Sequence, residues 1–539
     1  MTAKSYSANP FPTANSGSEL AAASFDAVEG RMSSHILTTN RLEGAPLANG
    51  PGDSQARVGA LPVANETIGA GRSNRYVAHE WLVTGALFIL DVISWMLIYA
   101  SVSMVRGDAF FETPLQLFVI EGLQLGVIVA MLFVIGGYNR RTEMLGLAYT
   151  TEHILAMAAA LAVSSLLVYT AATFDQSMRP SRGVMLISFA LFLPFSIFYR
   201  RAIRGAVSAS TAGRAFLVVG SGALAAEFYR AYKSSLNRER LEFVDPERER
   251  VGEHIAGPGS PMIEGDLATK LSRLGQGYSG VIVAERIDQL RPELLERLVR
   301  TQFQKVRVYT LESFHEAHWR HVPVHALDPF WPLQMGFQLA RNSPYHYAKR
   351  LFDLVLSGLL LAIFSPLLAM ITLVIWARNG RPAIFRQARV GRDGAPFTVY
   401  KFRTMFTQTE EETKGADIYT RTNDPRITGA GRWLRKLRLD ELPQLWNVLR
   451  GEMSLIGPRA EWTKCAERYE KIIPFYHFRH LVKPGITGWA QVNYPYGESD
   501  ADAIEKLKYD LYYIRNYSLK LDLMIVLKTV YTVLFGKGR

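Results

Sequence analysis

Leu354-Val-Leu-Ser-Gly-Leu-Leu-Leu-Ala-Ile-Phe-Ser-Pro-Leu-Leu-Ala-Met-Ile-Thr-Leu-Val-Ile-Trp-Ala377 is the stretch whose reading decides how this chain is built. It carries no charge and exceeds the ~20 residues that a helix needs to cross a bilayer. Ser365-Pro366 divides it near the middle. Proline removes one backbone donor and crowds the carbonyl four residues back, which kinks a helix, and a neighbouring serine can satisfy the freed carbonyl. Both flanks are basic: Lys349 and Arg350 before, Arg378 and Arg381 after. Positive charge at both ends favours keeping both on the cytoplasmic side, so the run reads as a re-entrant helix–break–helix rather than a crossing. The alternative is a simple kinked span.

Upstream lie four further apolar segments, at about 81–104, 116–138, 149–172 and 183–199. Arg72 and Arg75, then Arg140 and Arg141, then Arg200, Arg201 and Arg204 mark their cytoplasmic ends, against a weaker opposing set of Arg106, Arg179 and Arg182. Four crossings return the chain to the cytoplasm, and a re-entrant fifth segment keeps the basic C-terminal part there. Asp91 and Glu121 fall inside these spans, where an acid is either functional or an inward-facing packing group. Residues 1–75 are rich in Ser, Ala, Gly, Asn and Pro without apolar periodicity and read as a disordered tail. They lack the apolar core of a cleavable signal peptide.

Between the spans and the decisive run, residues 206–340 read as a Rossmann-like α/β module. Ala215-Phe-Leu-Val-Val-Gly220 is an apolar strand, Gly220-Ser-Gly222-Ala-Leu-Ala225 opens a helix, and Asp245 follows a second strand near the place of a ribose-binding acid. The glycine pattern alone fits a structural or regulatory module as well as a dinucleotide site.

The charge is uneven. Residues 341–539 hold 31 Lys and Arg against 19 Asp and Glu, and the rest of the chain balances at 30 and 30, so the formal net charge of +12 lies in the C-terminal part. Anionic lipid, nucleotide diphosphate and nucleic acid are the partners such a surplus serves. No zinc-finger, RNA-binding or homeodomain signature accompanies it, so no nucleic acid is expected. A single cysteine, Cys465, excludes an internal disulfide and suits a reducing compartment. Within the basic part, Arg435-Lys-Leu-Arg-Leu-Asp-Glu-Leu-Pro443 delivers two adjacent acids, Asp440 and Glu441, to a turn before a new helix. Pro443 suits a first helical turn, and the positive end of the helix favours ionised carboxylates there. Acids ringed by guanidiniums beside a membrane segment point to chemistry on a phosphorylated substrate.

From Lys349 to the C-terminus the chain resembles the bacterial polyprenyl-phosphate glycosyl-1-phosphate transferases. The resemblance rests on Lys349-Arg-Leu-Phe-Asp353, Arg386-Gln-Ala-Arg-Val-Gly391, Lys401-Phe-Arg-Thr-Met405, Leu439-Asp-Glu-Leu-Pro443, Gly457-Pro-Arg459 and Lys483-Pro-Gly-Ile-Thr-Gly-Trp-Ala-Gln491. Ala460 stands where the family usually has a second proline, and Gly429 where a basic residue is common. The spans and the α/β module resemble the family's long subclass, which starts exopolysaccharide or O-antigen repeats. The resemblance implies a mainly α, monotopic catalytic domain in a multi-domain membrane protein with four transmembrane helices. It further implies Asp440 as nucleophile on a UDP-sugar, with Glu441 for metal binding or positioning. Mg2+ would bridge Asp440, Glu441 and the diphosphate. Lys401, Arg403 and Arg459 are expected as phosphate clamps, with Arg386 and Arg389 behind them.

The resulting expectation has a tail at 1–75, four spans at 76–205, the α/β module at 206–340 and the transferase domain at 341–539. The reaction implied moves hexose-1-phosphate, glucose before galactose, from a UDP-sugar to undecaprenyl phosphate and releases UMP. It places the protein in the bacterial inner membrane with its catalytic part cytoplasmic, in contact with membrane lipid and compatible with a homodimer. Three bland readings stand beside it. Asp510 in Lys508-Tyr-Asp-Leu-Tyr512 serves structure or catalysis, Leu519–Phe535 reads as a membrane-surface helix, and His477 and His480 lack zinc-site spacing. One rival is a membrane-tethered, NAD-dependent sugar-nucleotide dehydratase, prompted by Tyr229 with Lys233 and Tyr345 with Lys349. A second is a non-enzymatic membrane anchor carrying a ligand sensor, which leaves the acid pair unexplained.

Overall fold

The computed structural model describes residues 70–534 apart from 107–117, 140–141, 143, 177–180, 212–213, 236–238, 266, 273–277, 287–288, 304–305, 328–330, 334–336, 338–339, 341–342, 407–423, 495–496 and 498. The segment read as a tail therefore lies outside the described residues up to position 69, and helix α1 begins at Ala70 (Ala70–Arg106). A π-turn at Phe118–Gly122 leads into α2 (Leu123–Val134), followed by α3 (Leu147–Ala171) and α4 (Arg182–Thr211). Four helical segments are long and apolar enough to cross a membrane: Leu82–Arg106, Leu147–Ala171, Arg182–Val207 and Tyr345–Asn379. Three of them coincide with expected spans. The apolar helix Ile120–Val134 falls short of a crossing, and the N-terminal part of the 116–138 segment adjoins residues outside the description. The fourth long helix is the decisive run itself.

Asp91 turns out to be a packing acid. Both its oxygens receive the Arg200 guanidinium, at 2.8 and 2.5 Å, and the Tyr138 and Tyr199 hydroxyls donate to it as well. Both members of the pair are completely buried. A buried charge persists only when paired and fully hydrogen-bonded, and this one ties α1 to α4.

The α/β part forms one five-stranded parallel sheet of order β3-β2-β1-β4-β5. Its strands are β1 (Ala215–Val219), β2 (Arg240–Val244), β3 (Ile263–Glu264), β4 (Tyr278–Val283) and β5 (Val308–Thr310). β1 is central and buried at every position, as a parallel strand covered on both faces should be. Helix α5 (Ala223–Ser234) follows it after Gly222, and α6 (Pro292–Phe303) covers the sheet through Leu294 and Leu298.

The run 354–377 lies inside one helix, α7 (Tyr345–Asn379), whose assignment continues through Pro366 without a break. The chemistry expected at the proline is present. Pro366 leaves the Ala362 carbonyl without its helical donor, and the Ser365 hydroxyl donates to that oxygen at 2.8 Å. Both ends of α7 are fastened to the same C-terminal fold. Near the start, Lys349 pairs with Asp522 at 2.5 Å and Arg350 donates to the carbonyls of Val448 and Leu449. At the far end, Ile371 and Ile375 pack with Phe402 and Leu434, and Arg403 donates to the carbonyls of Asn379, Gly380 and Arg381. Between the anchors, Val355, Leu359 and Ile363 are exposed.

After α7 come an antiparallel hairpin, β6 (Ile384–Val390) and β7 (Pro396–Phe402), and the short helices α8 (Gly429–Lys436) and α9 (Gln444–Arg450). β8 (Ser454–Ile456) and β9 (Gly485–Thr487) pair in parallel, with α10 (Thr463–Ile472) between them. Helices α11 (Asp500–Arg515) and α12 (Leu519–Leu534) complete the described chain. α12, expected at the membrane surface, packs one side on the protein and leaves Leu519, Val530 and Val533 exposed. It buries Leu521, Met524 and Ile525, and Lys528 pairs with Glu152 of α3 at 3.0 Å.

Candidate active site

Three backbone devices assemble the acid turn. Thr428 caps α8 by accepting from the Gly431 N–H at 2.9 Å, which fixes where the basic segment starts. Arg438 then adopts φ 58°, the left-handed region that costs a non-glycine residue ~1–2 kcal/mol. The chain reverses there into a single 3-10 turn, Leu439–Glu441, and Pro443 leads into α9. On the other side, the fully buried Asn447 side chain accepts from the Tyr400 N–H and donates to the Thr398 carbonyl. That pins α9 to β7 and brings Lys401 to the acids.

The two carboxylates have different fates. Glu441 is buried, and one of its oxygens accepts from both Lys401 at 3.3 Å and Arg459 at 3.0 Å. Burial alone would raise its pKa, but Arg459, Lys401 and Arg438 outweigh burial and hold it well below the usual carboxylate range. Asp440 has no ion pair within 4 Å among the described residues. Burial first, and the Glu441 charge second, push its pKa up, against the pull of Lys401, Arg435 and Arg459. The sequence expectation was that the helix end would keep both acids low. Desolvation and like-charge repulsion win at Asp440 instead, and the pair splits. Two neighbouring acids driven apart in this way take different roles.

The surrounding cations outnumber the acids. Lys401 is desolvated with Arg459 and Arg389 nearby, which together lower its pKa to about 8 despite Glu441. Arg389 spans the Ala460 carbonyl at 3.0 Å and the Gln387 side chain, and its own pKa is lowered by burial and by Arg459. Crowded, partly desolvated cations of this kind are a receptor for phosphate. Arg459 is aimed by close backbone crossing: a Cβ on Gly485 would stand 2.1 Å from the Gly457 nitrogen, so Gly457-Pro-Arg459 and Lys483-Pro-Gly485 meet only because glycine is there.

The expected clamp thus divides. Lys401, Arg459 and Arg389 converge on the acid pair, while Arg386 is exposed beside the Tyr400 ring, 5.8 Å from its centroid. The Arg403 guanidinium is placed on the last carbonyls of α7, a helix-end cap rather than a member of the cation cluster. Arg435, not among the expected clamp residues, donates to the Thr404 hydroxyl at 2.8 Å, and its charge acts on Asp440. Its spacing, five residues before Asp440 in the same segment, was the available signal. Asp510 is structural. It is buried against Arg479 at 2.9 Å, and desolvation lifts its pKa to about 6 despite that arginine.

Among the described residues no group of three or more His, Cys, Asp or Glu side chains forms a metal site. Adjacent Asp440 and Glu441 still fit Mg2+, which is commonly held by one or two carboxylates and completed by substrate phosphate oxygens and water.

The glycine turn of the sheet looks unlike this. The Ser221 N–H donates to Glu285 at 3.3 Å, and Arg250 donates to the Ser221 carbonyl. The Asp245 carboxylate accepts from the backbone N–H groups of Glu247 and Arg250 at 3.0 and 2.9 Å. The groups expected to hold a nucleotide are engaged with the chain itself.

Residues 344–536 match the family described as bacterial sugar transferase. The chain is 38% identical over 261 residues to a UDP-N-acetylgalactosamine-undecaprenyl-phosphate N-acetylgalactosaminephosphotransferase of Aeromonas hydrophila, covering 48% of this chain and 60% of that protein. It is 43% identical over 189 residues to a UDP-glucose:undecaprenyl-phosphate glucose-1-phosphate transferase of Caulobacter vibrioides, covering 34% and 69% respectively. It is 40% identical over 221 residues to an undecaprenyl-phosphate galactose phosphotransferase of Salmonella typhimurium, covering 38% and 44%. The match thus spans less than two thirds of the Aeromonas and Salmonella proteins.

Proposed function

This chain belongs to the bacterial sugar transferase family, and on that premise we propose that it moves a hexose-1-phosphate from a UDP-sugar to undecaprenyl phosphate. The observation that carries this reading is the split acid pair, Glu441 locked between Lys401 and Arg459 while Asp440 has no ion pair among the described residues. In the first step an Asp440 oxygen attacks the sugar-bearing phosphorus. The bond from that phosphorus to the bridging oxygen breaks, and UMP leaves with the electron pair. In the second step an oxygen of the lipid phosphate attacks the aspartyl-bound phosphosugar and displaces Asp440 as a free carboxylate. Glu441 keeps the two cations in place, and Lys401, Arg459 and Arg389 face the diphosphate. Mg2+ held by Asp440 and Glu441 would neutralise diphosphate charge.

The membrane geometry accords with the chemistry. Attachment of both ends of α7 to one fold, with its Ser365-Pro366 centre between them, supports a re-entrant segment on the cytoplasmic face of the inner membrane. The lipid phosphate then arrives at the interface beside Asp440. Glucose is the sugar to test first, then galactose and N-acetylgalactosamine, the sugars named in the three relatives. A homodimer and the start of an exopolysaccharide or O-antigen repeat complete the proposal. The test is UMP release by the full-length protein in detergent with undecaprenyl phosphate and each UDP-sugar in turn. Lipid-dependent release with one sugar, lost in Asp440→Ala, supports the reading. Release that persists in Asp440→Ala removes it.

A further inference from the structure

A second cationic pocket lies at the start of α7, enclosing about 360 Å³ including its open mouth, lined by His346, Arg350, Asp353, Arg392, Lys483 and Tyr517 among others. Its charges do not balance locally. Lys349, also in the wall, is neutralised by Asp522, and one Asp353 oxygen accepts from the Leu455 N–H at 3.0 Å. Arg350, Arg392 and Lys483 remain, three cations facing Asp353, with the half-exposed Asp393 at 3.5 Å from the Arg392 Nε. The Lys483 ammonium makes no hydrogen bond or ion pair among the described residues. The Arg392 Nε is buried and makes no hydrogen bond, its contact with Asp393 being an ion pair at 3.5 Å. Lys483 and Arg350 are crowded together, since a Cβ on Gly451 would stand within 3.5 Å of both side chains. Like charges held this close call for an anion between them.

Two further observations say which anion. Arg350 donates to the carbonyls at the end of α9, whereas the acid pair precedes its start. Seven helical residues separate them by about 10 Å, too far for a phosphate in this pocket to be the one attacked at Asp440. Beside the pocket, the α7 side chains Tyr347, Leu351, Phe352 and Val355 are exposed on a helix apolar enough to enter a membrane.

We propose that this pocket binds the phosphate headgroup of an anionic membrane lipid, with the lipid's chains lying along the exposed face of α7. Arg350, Arg392 and Lys483 supply the charge, the Tyr517 hydroxyl a hydrogen bond, and the site is separate from the acid pair. The bound lipid would fix the depth at which the catalytic part meets the bilayer. This inference does not depend on the transfer reaction.

The experiment is native mass spectrometry of the full-length protein extracted from nanodiscs of phosphatidylcholine and phosphatidylglycerol. The expected result is selective retention of phosphatidylglycerol, not displaced by millimolar inorganic phosphate. Retention should fall about thirtyfold in the Lys483→Gln/Arg392→Gln variant, the effect of removing two basic contacts to an anionic lipid surface. The charge-conserving Lys483→Arg/Arg392→Lys variant should keep most of it, which separates lost charge from lost fold, and Asp440→Ala should keep all of it. Equal retention by the wild type and the double glutamine variant overturns the proposal. Displacement of the lipid by inorganic phosphate overturns the assignment to a lipid headgroup.

Discussion

The glycine turn after β1 and the acid turn after α8 are both sharp bends that feed a helix and gather charged side chains, yet they are finished in opposite ways. Around Gly220-Ser-Gly222 three charged groups are engaged within the sheet's own loops: Glu285 on the Ser221 N–H, Arg250 on the Ser221 carbonyl, Asp245 on two backbone donors. Around Leu439-Asp-Glu441 the satisfaction is partial. Glu441 is doubly paired, Asp440 is desolvated beside it, and the nearby cations exceed the acids. A turn whose polar groups are all committed is a structural corner. A turn that leaves one carboxylate unpaired amid surplus positive charge keeps unused interaction free energy for a ligand.

The sharpest break of this comparison is Asp440→Asn, which keeps shape and removes the proposed nucleophile. UMP release should fall by a factor on the order of 10³ or more, while the melting temperature stays within a few degrees. A stable variant with near-normal turnover would make the acid turn a corner like the other one.

Glu441→Gln attacks the paired member. It leaves Lys401 and Arg459 desolvated without their counter-charge, so a loss of about 3 kcal/mol in stability is expected alongside loss of activity, measurable by denaturant unfolding. The wild-type pair also predicts a pH dependence. Because the folded pKa of Glu441 lies below its ordinary value of 4.5, its stabilisation is present above that pH and disappears as pH falls through the folded value. Glu441→Gln should abolish that acid-side contribution.

Lys401 sharpens the comparison on the alkaline side. With a folded pKa of about 8, it loses its charge near physiological pH, so kcat/KM should fall as pH rises through about 8. Lys401→Arg should carry that limb upward, since arginine stays charged. Stability runs the other way: the unfolded chain holds this proton up to about 10.5 and the folded chain releases it near 8, so this residue's contribution rises with pH between those values.

The smallest effect is expected at the other turn. Asp245→Ala should leave UMP release within about twofold and cost the sheet about 1–2 kcal/mol through two lost backbone hydrogen bonds. Abolished transfer in a folded Asp245→Ala protein would join the two turns functionally.

Legibility followed how local each cause was. The strand Ala215–Val219, the acid turn and the apolar run around Pro366 were readable because periodicity, proline chemistry and charge runs act over a few residues, although the break expected at Pro366 is a continuous helix. The Ser365 bond to Ala362 is the clearest case, a contact fixed by helix geometry alone. The contact of α12 with α3 was not readable, because an amphipathic pattern does not say what covers its apolar side. Arg403 was expected at the phosphates and sits at the end of α7, whereas Arg435 was not expected at the acids and acts on Asp440. Both are arginines in basic, motif-rich segments, and only the packing of α7 against β7 assigns one to helix-end carbonyls and the other to the Asp440 field.

By itself the sequence determined the adjacent carboxylates, the excess of positive charge in residues 341–539, the apolar run broken by Ser365-Pro366 and the family pattern that joins them. These are matters of composition and short spacing, conserved whatever the fold does. Tertiary structure alone decided which acid is paired and which is not, because Lys401, Arg389 and Arg459 reach the turn from segments distant in the chain. It decided equally that the glycine turn is closed by Glu285 and Arg250, and that Arg350, Arg392 and Lys483 share one pocket. Electrostatic energy depends on distance and desolvation, and both quantities are set only when the chain has packed.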